Sequence, residues 1–147
     1  MAMMGDKPLF VDTNVLVYAN VIETPFHEQA LAAINTAHKA GRPIWISRQV
    51  VREYLVTLTR SQTFKNLPKT SVLEQVDQFL ERFQVADDTT AVTGQLIKLM
   101  EDFKIGGKQV HDANIVATML AYEVPCLLTH NIKDFERFGE IIKIEGI

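Results

Sequence analysis

Short apolar runs that favour β-strands alternate along this chain with segments whose apolar residues recur every three or four positions, as in amphipathic helices. The strand-like runs are 8–11, 43–46, a weaker 82–85, 125–129 and 141–144. The helix-like segments cover 30–37, 50–58, 72–83, 92–103 and an apolar stretch that opens at 112. Strands that alternate with helices in this order form a parallel sheet with helices on its faces. The sequence therefore predicts an α/β fold with a central, mostly parallel sheet.

The size and composition of the chain fit one domain. Its 147 residues, of which 47% are apolar and 22% charged, are enough to bury a sizeable core. We expect a single domain over 1–147 in which residues 1–6 are a flexible N-terminus. The polar segment 61–70 contains Pro68 and is expected to be the turn between two helices, and Gly106 and Gly107 are expected to form a loop.

The start of the chain and its single cysteine bear on where the protein works. MAMMGDKP has no basic start followed by an apolar run, and no stretch approaches the ~20 apolar residues that span a bilayer. We therefore expect a cytoplasmic protein with no membrane partner. Cys126 is the only cysteine, which excludes an intramolecular disulfide and a cysteine-based zinc site, and its apolar surroundings predict a buried thiol.

The net charge of −3 conceals an uneven distribution. Residues 39–69 carry seven Lys and Arg against one acid, a net charge of +6, whereas eight against 17 elsewhere give −9. Because salt screens charges beyond about 8 Å, a local basic surface can follow nucleic-acid phosphates even on an acidic protein. The candidates for such a phosphate contact are Arg48, Arg52, Arg60 and Lys65. The alternative interpretation is an ordinary solvated helix face and loop.

Acidic residues follow the predicted strands, where parallel sheets place their functional crevice. Asp12 comes directly after the first run, Glu53 two turns into the helix after the second, Asp134 shortly after the fourth, and Asp112 at the start of the last long helix. Each acid also has an ordinary interpretation: Asp12 and Asp112 as helix caps, Glu53 as a surface residue, Asp134 as a turn residue. Their common place at one edge of one sheet favours a functional cluster.

A cluster of this kind points to a divalent metal. Two carboxylates ~4 Å apart repel by about 4 kcal/mol at an effective dielectric of about 20, so the cluster needs a cation or protonation. The candidate ligands are hard oxygen donors and no histidine pair has zinc spacing, which favours Mg²⁺ or Mn²⁺. Such a centre supports phosphodiester hydrolysis, in which one ion lowers the pKa of a bound water and a second can stabilise the leaving oxygen. Candidate supporting residues, equally explicable as turn and cap residues, are Thr13, Asn14 and Asn131.

Four segments occur in order along the chain: FVDTNVLVYA, SRQVVREYL, VHDANIVATMLAYEVPCLLTHN and NIKDFERFG. Together they resemble the PIN domain family, in particular the VapC-type toxins of toxin–antitoxin pairs, over residues 9 to 144. The resemblance implies a three-layer α/β/α fold, metal-dependent ribonuclease activity on an RNA substrate, a homodimer, and a cognate antitoxin that blocks the site. On the family pattern Asp12, Glu53 and Asp112 are the first three acids and Asp134 the fourth, while some members carry another acid at the position of Asn131.

Two other functions are compatible with parts of the pattern. An aspartate-nucleophile phosphatase of the haloacid dehalogenase type also has an aspartate after its first strand, but it needs a second two positions later, where this chain has Asn14. A non-catalytic PIN-like or receiver-like scaffold could bind RNA or protein without cutting. The presence of all four acids favours the ribonuclease.

Overall fold

The computed structural model describes residues 7–60 and 67–147 and contains a five-stranded sheet in which every pairing is parallel. The strands are β1 (Leu9–Val11), β2 (Ile44–Ser47), β3 (Gln84–Ala86), β4 (Cys126–Thr129) and β5 (Lys143–Gly146). Their order across the sheet is β3-β2-β1-β4-β5, so β1 lies at the centre. The predicted α/β fold with a central parallel sheet is therefore confirmed.

Seven α-helices connect these strands in the described part of the chain. They are α1 (Thr13–Asn20), α2 (His27–Lys39), α3 (Arg48–Thr59), α4 (Lys69–Arg82), α5 (Thr90–Asp102), α6 (Gln109–Ala121) and α7 (Ile132–Phe135). Helix α1 contacts α2 and α3, and α3 contacts α4, whereas α6 contacts α5 and α7. The chain builds one half of the sheet and then the other, and because such crossovers are right-handed, the two helix groups lie on opposite faces. The result is the three-layer α/β/α arrangement.

The centre of the sheet is also the centre of the core. Every residue of β1 and β4 is buried, including Cys126, which confirms the prediction of a buried thiol. Strands covered on both faces need continuous apolar runs, and LFV and CLLT supply them. Helix residues such as Leu16, Tyr54 and Ile115, each at most 1% exposed, pack the two faces. This packing fixes the carboxyl ends of β1 and β4 beside each other.

Two of the differences between the predicted and observed starts of elements have a clear structural cause. Strand β5 starts at Lys143 rather than 141, because Ile142 packs into the core from the preceding turn and sheet pairing starts between Lys143 and Cys126. Helix α6 begins at Gln109, three residues before Asp112, which therefore does not open the helix. The other four strands agree with the predicted runs to within two residues.

Some sequence predictions fall outside the described residues, namely the flexible N-terminus at 1–6 and most of the turn predicted over 61–70. Helix α3 ends at Thr59 and α4 begins at Lys69, on either side of that segment. Within 7–60 and 67–147, no helix is both long and apolar enough to cross a bilayer.

Candidate metal centre

Asp12 stands where the central strand β1 ends and α1 begins. Its backbone N–H donates to the carbonyl of Leu128 at 3.0 Å, which ties this point to the end of β4. Its Oδ1 accepts from the N–H of Thr13 at 2.8 Å, and its Oδ2 accepts from Asn14 Nδ2 at 3.0 Å and Thr129 Oγ1 at 2.8 Å. Asp12 is therefore the N-cap of α1, and its carboxylate is also held in one orientation at the sheet edge.

Glu53 lies in α3, the helix that follows β2. Ser47 starts this helix, since its Oγ accepts from the N–H of Val50 at 3.2 Å. The Glu53 side chain is half-buried, and Thr13 Oγ1 lies 3.4 Å from its Oε2. Gln49, one turn earlier on the same helix face, donates from Nε2 to Glu53 Oε1 at 2.7 Å. Glu53 thus points towards the end of β1 and is not a free surface residue.

Asp112 lies in the first turn of α6, on the other side of the sheet edge. The loop before this helix turns at Gly107, whose φ of +58° is readily adopted only by glycine. The N-cap position is occupied by Lys108, so Asp112 does not cap the helix. Its carboxylate is half-buried and accepts no hydrogen bond from the described residues. It therefore remains available to another partner.

One cavity of about 520 Å³ opens at this edge of the sheet. Asp12, Glu53 and Asp112 all line it, although they come from three different elements. The three candidate supporting residues line it as well: Thr13, Asn14 and Asn131. Its volume lies within the range of small-ligand sites. The structure therefore brings together three of the four predicted acids and all of the predicted supporting residues.

The acids of this cavity influence one another through their charges. Burial raises the pKa of Asp12 from 3.8 to about 6, and the charge of Glu53 acts in the same direction against the hydrogen bonds that the carboxylate accepts. Burial also raises the pKa of Asp112 to about 6, reinforced by the charges of Asp12, Asp134 and Glu53. Asp134 is exposed in α7 and does not line the cavity, but its charge reaches Asp112. All four acids therefore share one electrostatic environment.

The four candidate RNA-contacting residues fall in different places. Arg52 and Arg60 line the cavity beside the acids. Arg48 lies outside the lining, and its Nε donates to Asp87 Oδ1 at 3.0 Å in an exposed ion pair. Lys65 lies outside the described residues. The basic segment is therefore divided between the cavity and a neighbouring surface.

Thr129, the last residue of β4, is a site residue that the sequence analysis missed. It is fully buried, donates to Asp12 Oδ2, and accepts from the N–H of Asn131 at 3.0 Å. The parallel register pairs Val11 with Leu128, so the next residues along the two strands, Asp12 and Thr129, are neighbours. The signal was its position at the end of the fourth apolar run.

Gln49 and Asn114 were missed as well. Asn114 Nδ2 donates to Gln49 Oε1 at 2.7 Å, which links α6 to α3. The only sequence signal for Gln49 is that it precedes Glu53 by four residues and so shares its helix face. Nothing in the sequence relates Gln49 to Asn114, because their contact depends on how the two helices approach.

The donor set of the cavity fits a hard divalent cation. Its ligating groups are carboxylate oxygens, and burial together with mutual repulsion raises the pKa of two of them, a cost that a cation would relieve. Among the residues that the structure describes, no three Asp, Glu, His or Cys side chains already form a compact ligand group. Proteins commonly hold Mg²⁺ by one or two carboxylates, with water and substrate phosphate completing the shell.

The chain belongs to the PIN domain family, whose model matches residues 9–141. The resemblance identified in the sequence is thereby confirmed. No curated protein matches the chain.

Solved structures of toxin–antitoxin systems share this fold. A chain of VapBC2 from Rickettsia felis, bound to a promoter DNA fragment, is 24% identical, with a TM-score of 0.67 and 94% of this chain and 97% of that chain covered. VapBC-1 from nontypeable Haemophilus influenzae is 16% identical, with a TM-score of 0.65 and 94% and 96% covered. Mycobacterium tuberculosis VapC20, described as a sarcin-ricin loop cleaving toxin, is 17% identical, with a TM-score of 0.61 and 81% and 86% covered. At these identities the likeness shows a common fold.

Proposed function

We propose that this protein is a Mg²⁺- or Mn²⁺-dependent endoribonuclease and the toxin of a type II toxin–antitoxin pair. One observation carries the proposal: acids from β1–α1, α3 and α6 line a single cavity that two arginines also line. A carboxylate cluster alone fits a metal site, and arginines alone fit a phosphate site. Their combination in one cavity suits the hydrolysis of a phosphodiester.

The proposed metal ligands are Asp12, Glu53, Asp112 and Asp134, with Asn131 as an additional oxygen donor at the cavity wall. Asn14 and Thr129 hold the Asp12 carboxylate in place, and Thr13 does the same for Glu53. A divalent cation held by these oxygens would supply an acidified water as the nucleophile and would stabilise charge on the phosphate. No side chain of the protein has to attack the substrate.

Arg52 and Arg60 are the proposed RNA contacts within the cavity. Guanidinium groups bind phosphate oxygens through paired hydrogen bonds, and both side chains are exposed at the rim. Phosphate contacts of this kind orient the backbone without reading its sequence. Arg48, which lies outside the cavity, is proposed to extend the contact along the RNA backbone, and Lys65 is proposed as a further phosphate contact.

The proposed partners are an RNA substrate, a cognate antitoxin and a second copy of this chain in a homodimer. Two of the similar structures are VapBC complexes, and a third is described as a sarcin-ricin loop cleaving toxin. We expect a small reading frame beside the gene to encode the antitoxin. Co-expression of the two chains should yield a stable complex in which RNA cleavage is blocked, and cleavage that persists in such a complex would contradict the toxin assignment.

The ribonuclease proposal is tested by incubating the purified protein with structured RNAs in Mg²⁺, in Mn²⁺ and in EDTA. We expect cleavage with either metal and none in EDTA, and a loss of at least about 100-fold in Asp12→Asn and in Asp112→Asn. RNA binding without cleavage in both metals would instead support the non-catalytic scaffold. Cleavage that persists in both variants would exclude the proposed site.

A phosphatase with Asp12 as nucleophile has less support. The Asn14 amide donates from Nδ2 to Asp12 Oδ2, and Asn14 Oδ1 accepts from the N–H of His130 at 3.1 Å. Asn14 is therefore an orienting group. An amide cannot act as the acid and base that such a phosphatase needs at this position.

A further inference from the structure

Gln49 is a polar side chain, only 7% exposed, that none of the proposed chemistry uses. Its Nε2 donates to Glu53 Oε1 at 2.7 Å and to the backbone carbonyl of His111 at 2.8 Å. Its Oε1 accepts from Asn114 Nδ2 at 2.7 Å. The Gln49 side chain therefore contacts Glu53 directly. It also contacts His111 and Asn114, which precede and follow Asp112 in α6.

The orientation of this amide is fixed by its partners. A carboxylate and a backbone carbonyl only accept hydrogen bonds, so the NH₂ group of Gln49 must face Glu53 and His111. The Asn114 amide nitrogen only donates, so it must face the carbonyl oxygen of Gln49. A flipped amide would set donors against donors and acceptors against acceptors. Both donor hydrogens and the acceptor of this buried group are thus satisfied in one arrangement.

The helices that Gln49 joins are packed mainly against other elements. Helix α3 packs chiefly on α1, α4 and β2, whereas α6 packs chiefly on α5. Each acid is therefore placed by a different part of the core. The Gln49 hydrogen bonds connect α3 to α6 next to the acids of the cavity.

Thr13 extends this connection to the third acid. Its N–H donates to Asp12 Oδ1 and its Oγ1 lies 3.4 Å from Glu53 Oε2. Asp12, Glu53 and the first turn of α6 are thus joined through neutral side chains. A neutral link suits a cation site, because a lysine or arginine here would compete with the cation and another carboxylate would add repulsion.

We propose that Gln49 is a positioning residue that fixes Glu53 relative to Asp112 and so sets the affinity of the cavity for a divalent cation. The inference rests on the proposed metal-dependent function. It assigns to Gln49 the part that hydrogen-bonded neighbours of ligands play in characterised metal sites, where their loss weakens metal binding about 10- to 100-fold.

The test measures Mn²⁺ binding by the full chain without RNA, using calorimetry at a temperature where every variant is folded. Gln49→Leu should bind Mn²⁺ about 10-fold or more weakly than the parent chain. Gln75→Leu is the matched control: Gln75 accepts from Tyr54 Oη at 2.5 Å and links α3 to α4 away from the cavity. It should lower the thermal unfolding temperature and leave the Mn²⁺ affinity within about twofold.

A second substitution separates positioning from packing. Asn114 hydrogen-bonds through its side chain to Gln49, so Asn114→Leu should weaken Mn²⁺ binding less than Gln49→Leu, and the two losses should not add in the double variant. Parent-like Mn²⁺ affinity in folded Gln49→Leu would overturn the inference and leave the metal site standing. A parent chain that binds no Mn²⁺ would overturn the proposed metal site, and the inference with it.

Discussion

Two carboxylates of similar burial, Asp112 and Glu145, experience opposite electrostatic environments. Burial and the charges of neighbouring acids raise the pKa of Asp112 to about 6. Glu145 in β5 accepts two hydrogen bonds from the Arg42 guanidinium, at 3.0 and 2.7 Å, and this partner holds its pKa below the usual value despite burial. Arg42 is itself secured by donating from Nε to the carbonyl of Lys7 at 2.9 Å. Glu145 has its counter-charge within the protein, whereas Asp112 has no comparable partner among residues 7–60 and 67–147.

The difference shows that partial burial alone does not determine how a carboxylate behaves. Where the fold supplies a counter-charge, as Arg42 does, the acid stabilises the structure. At the cavity, Arg52 and Arg60 are exposed, and the acids that line it repel one another. Such a cluster destabilises the protein until a cation or a proton joins it, which is typical of functional sites.

The largest expected effect is on catalysis. Asp112→Asn should reduce RNA cleavage at least about 100-fold, because it removes a proposed cation ligand. Glu145→Gln changes a similarly buried carboxylate outside the cavity and should leave the cleavage rate within about twofold in folded protein. Gel-based cleavage rates at 25 °C provide the measurement, and equal losses in the two variants would show that the effect is one of folding.

The next effect is on stability, where the Glu145 variant, and not the Asp112 variant, should show the loss. Glu145→Gln should lower the free energy of unfolding by about 2 kcal/mol at pH 7, since the Arg42 guanidinium loses a charged partner. Because the pKa of Glu145 is lowered in the folded state, its contribution is present above the unfolded pKa and is lost as the pH falls through the folded pKa. Urea denaturation at pH 7 and pH 4 should show the loss shrinking at the lower pH.

Asp112→Asn should increase stability in metal-free buffer. The folded pKa of about 6 exceeds the ordinary 3.8, so the parent chain carries a penalty that grows as the pH rises from about 4 to 6 and is complete above 6. The amide removes this penalty, and solvent screening reduces the gain to about 1 kcal/mol. Urea denaturation at pH 5 and pH 8 should show the larger gain at pH 8, and a gain independent of pH would rule out the electrostatic cause.

The smallest effect concerns an exposed ion pair, in which Arg52 lies 3.7 Å from Asp88. Such pairs contribute little to stability, so Asp88→Asn should change the unfolding free energy by less than about 0.5 kcal/mol. It should, however, raise RNA affinity measurably, because Arg52 no longer shares its charge with the protein. Fluorescence anisotropy in EDTA measures this binding, and Arg52→Gln should flatten its salt dependence by about one unit of log slope.

A matched arginine checks that this effect is local. Arg82 at the end of α4 is exposed but does not line the cavity, so Arg82→Gln should keep the parent salt slope. An unchanged slope in Arg52→Gln would exclude Arg52 as a phosphate contact. An altered slope in Arg82→Gln would show that RNA follows a different surface.

The sequence predicted most of the fold because most elements carry their own signal. The apolar runs of β1 and β4 are continuous, as strands buried on both faces require, and helices α2 to α5 have clear three-to-four spacing. The short helices α1 and α7 were not among the predicted helical segments. Strand β5 began later than expected because Ile142 packs into the core from the turn before the strand and does not pair in the sheet. An apolar residue has the same sequence signal in either position. Helix α6 began earlier because the turn at Gly107 sets its start.

The candidate site was predictable only in part. Acids such as Asp12 are visible because they follow a strand, and the parallel topology brings strand ends together. The contact of Gln49 with α6 was not predictable, since it depends on the distance between two helices that are far apart in the sequence. Burial and charge at Asp112 likewise arise from neighbours contributed by other elements. Local patterns identify candidate ligands, and tertiary packing determines what surrounds them.

The strand order β3-β2-β1-β4-β5 has a consequence for this whole architecture. From β1 the chain continues to β2 and β3 on one side, whereas β4 and β5 lie on its other side. At this switch point the helices on the two faces diverge, which opens a gap beyond the ends of the strands. The gap is produced by the winding of the backbone and does not depend on any acid. A chain of this topology that lost Asp12 or Asp112 would therefore keep its cleft, so the proposed RNA cleavage could be lost in evolution while RNA binding is retained.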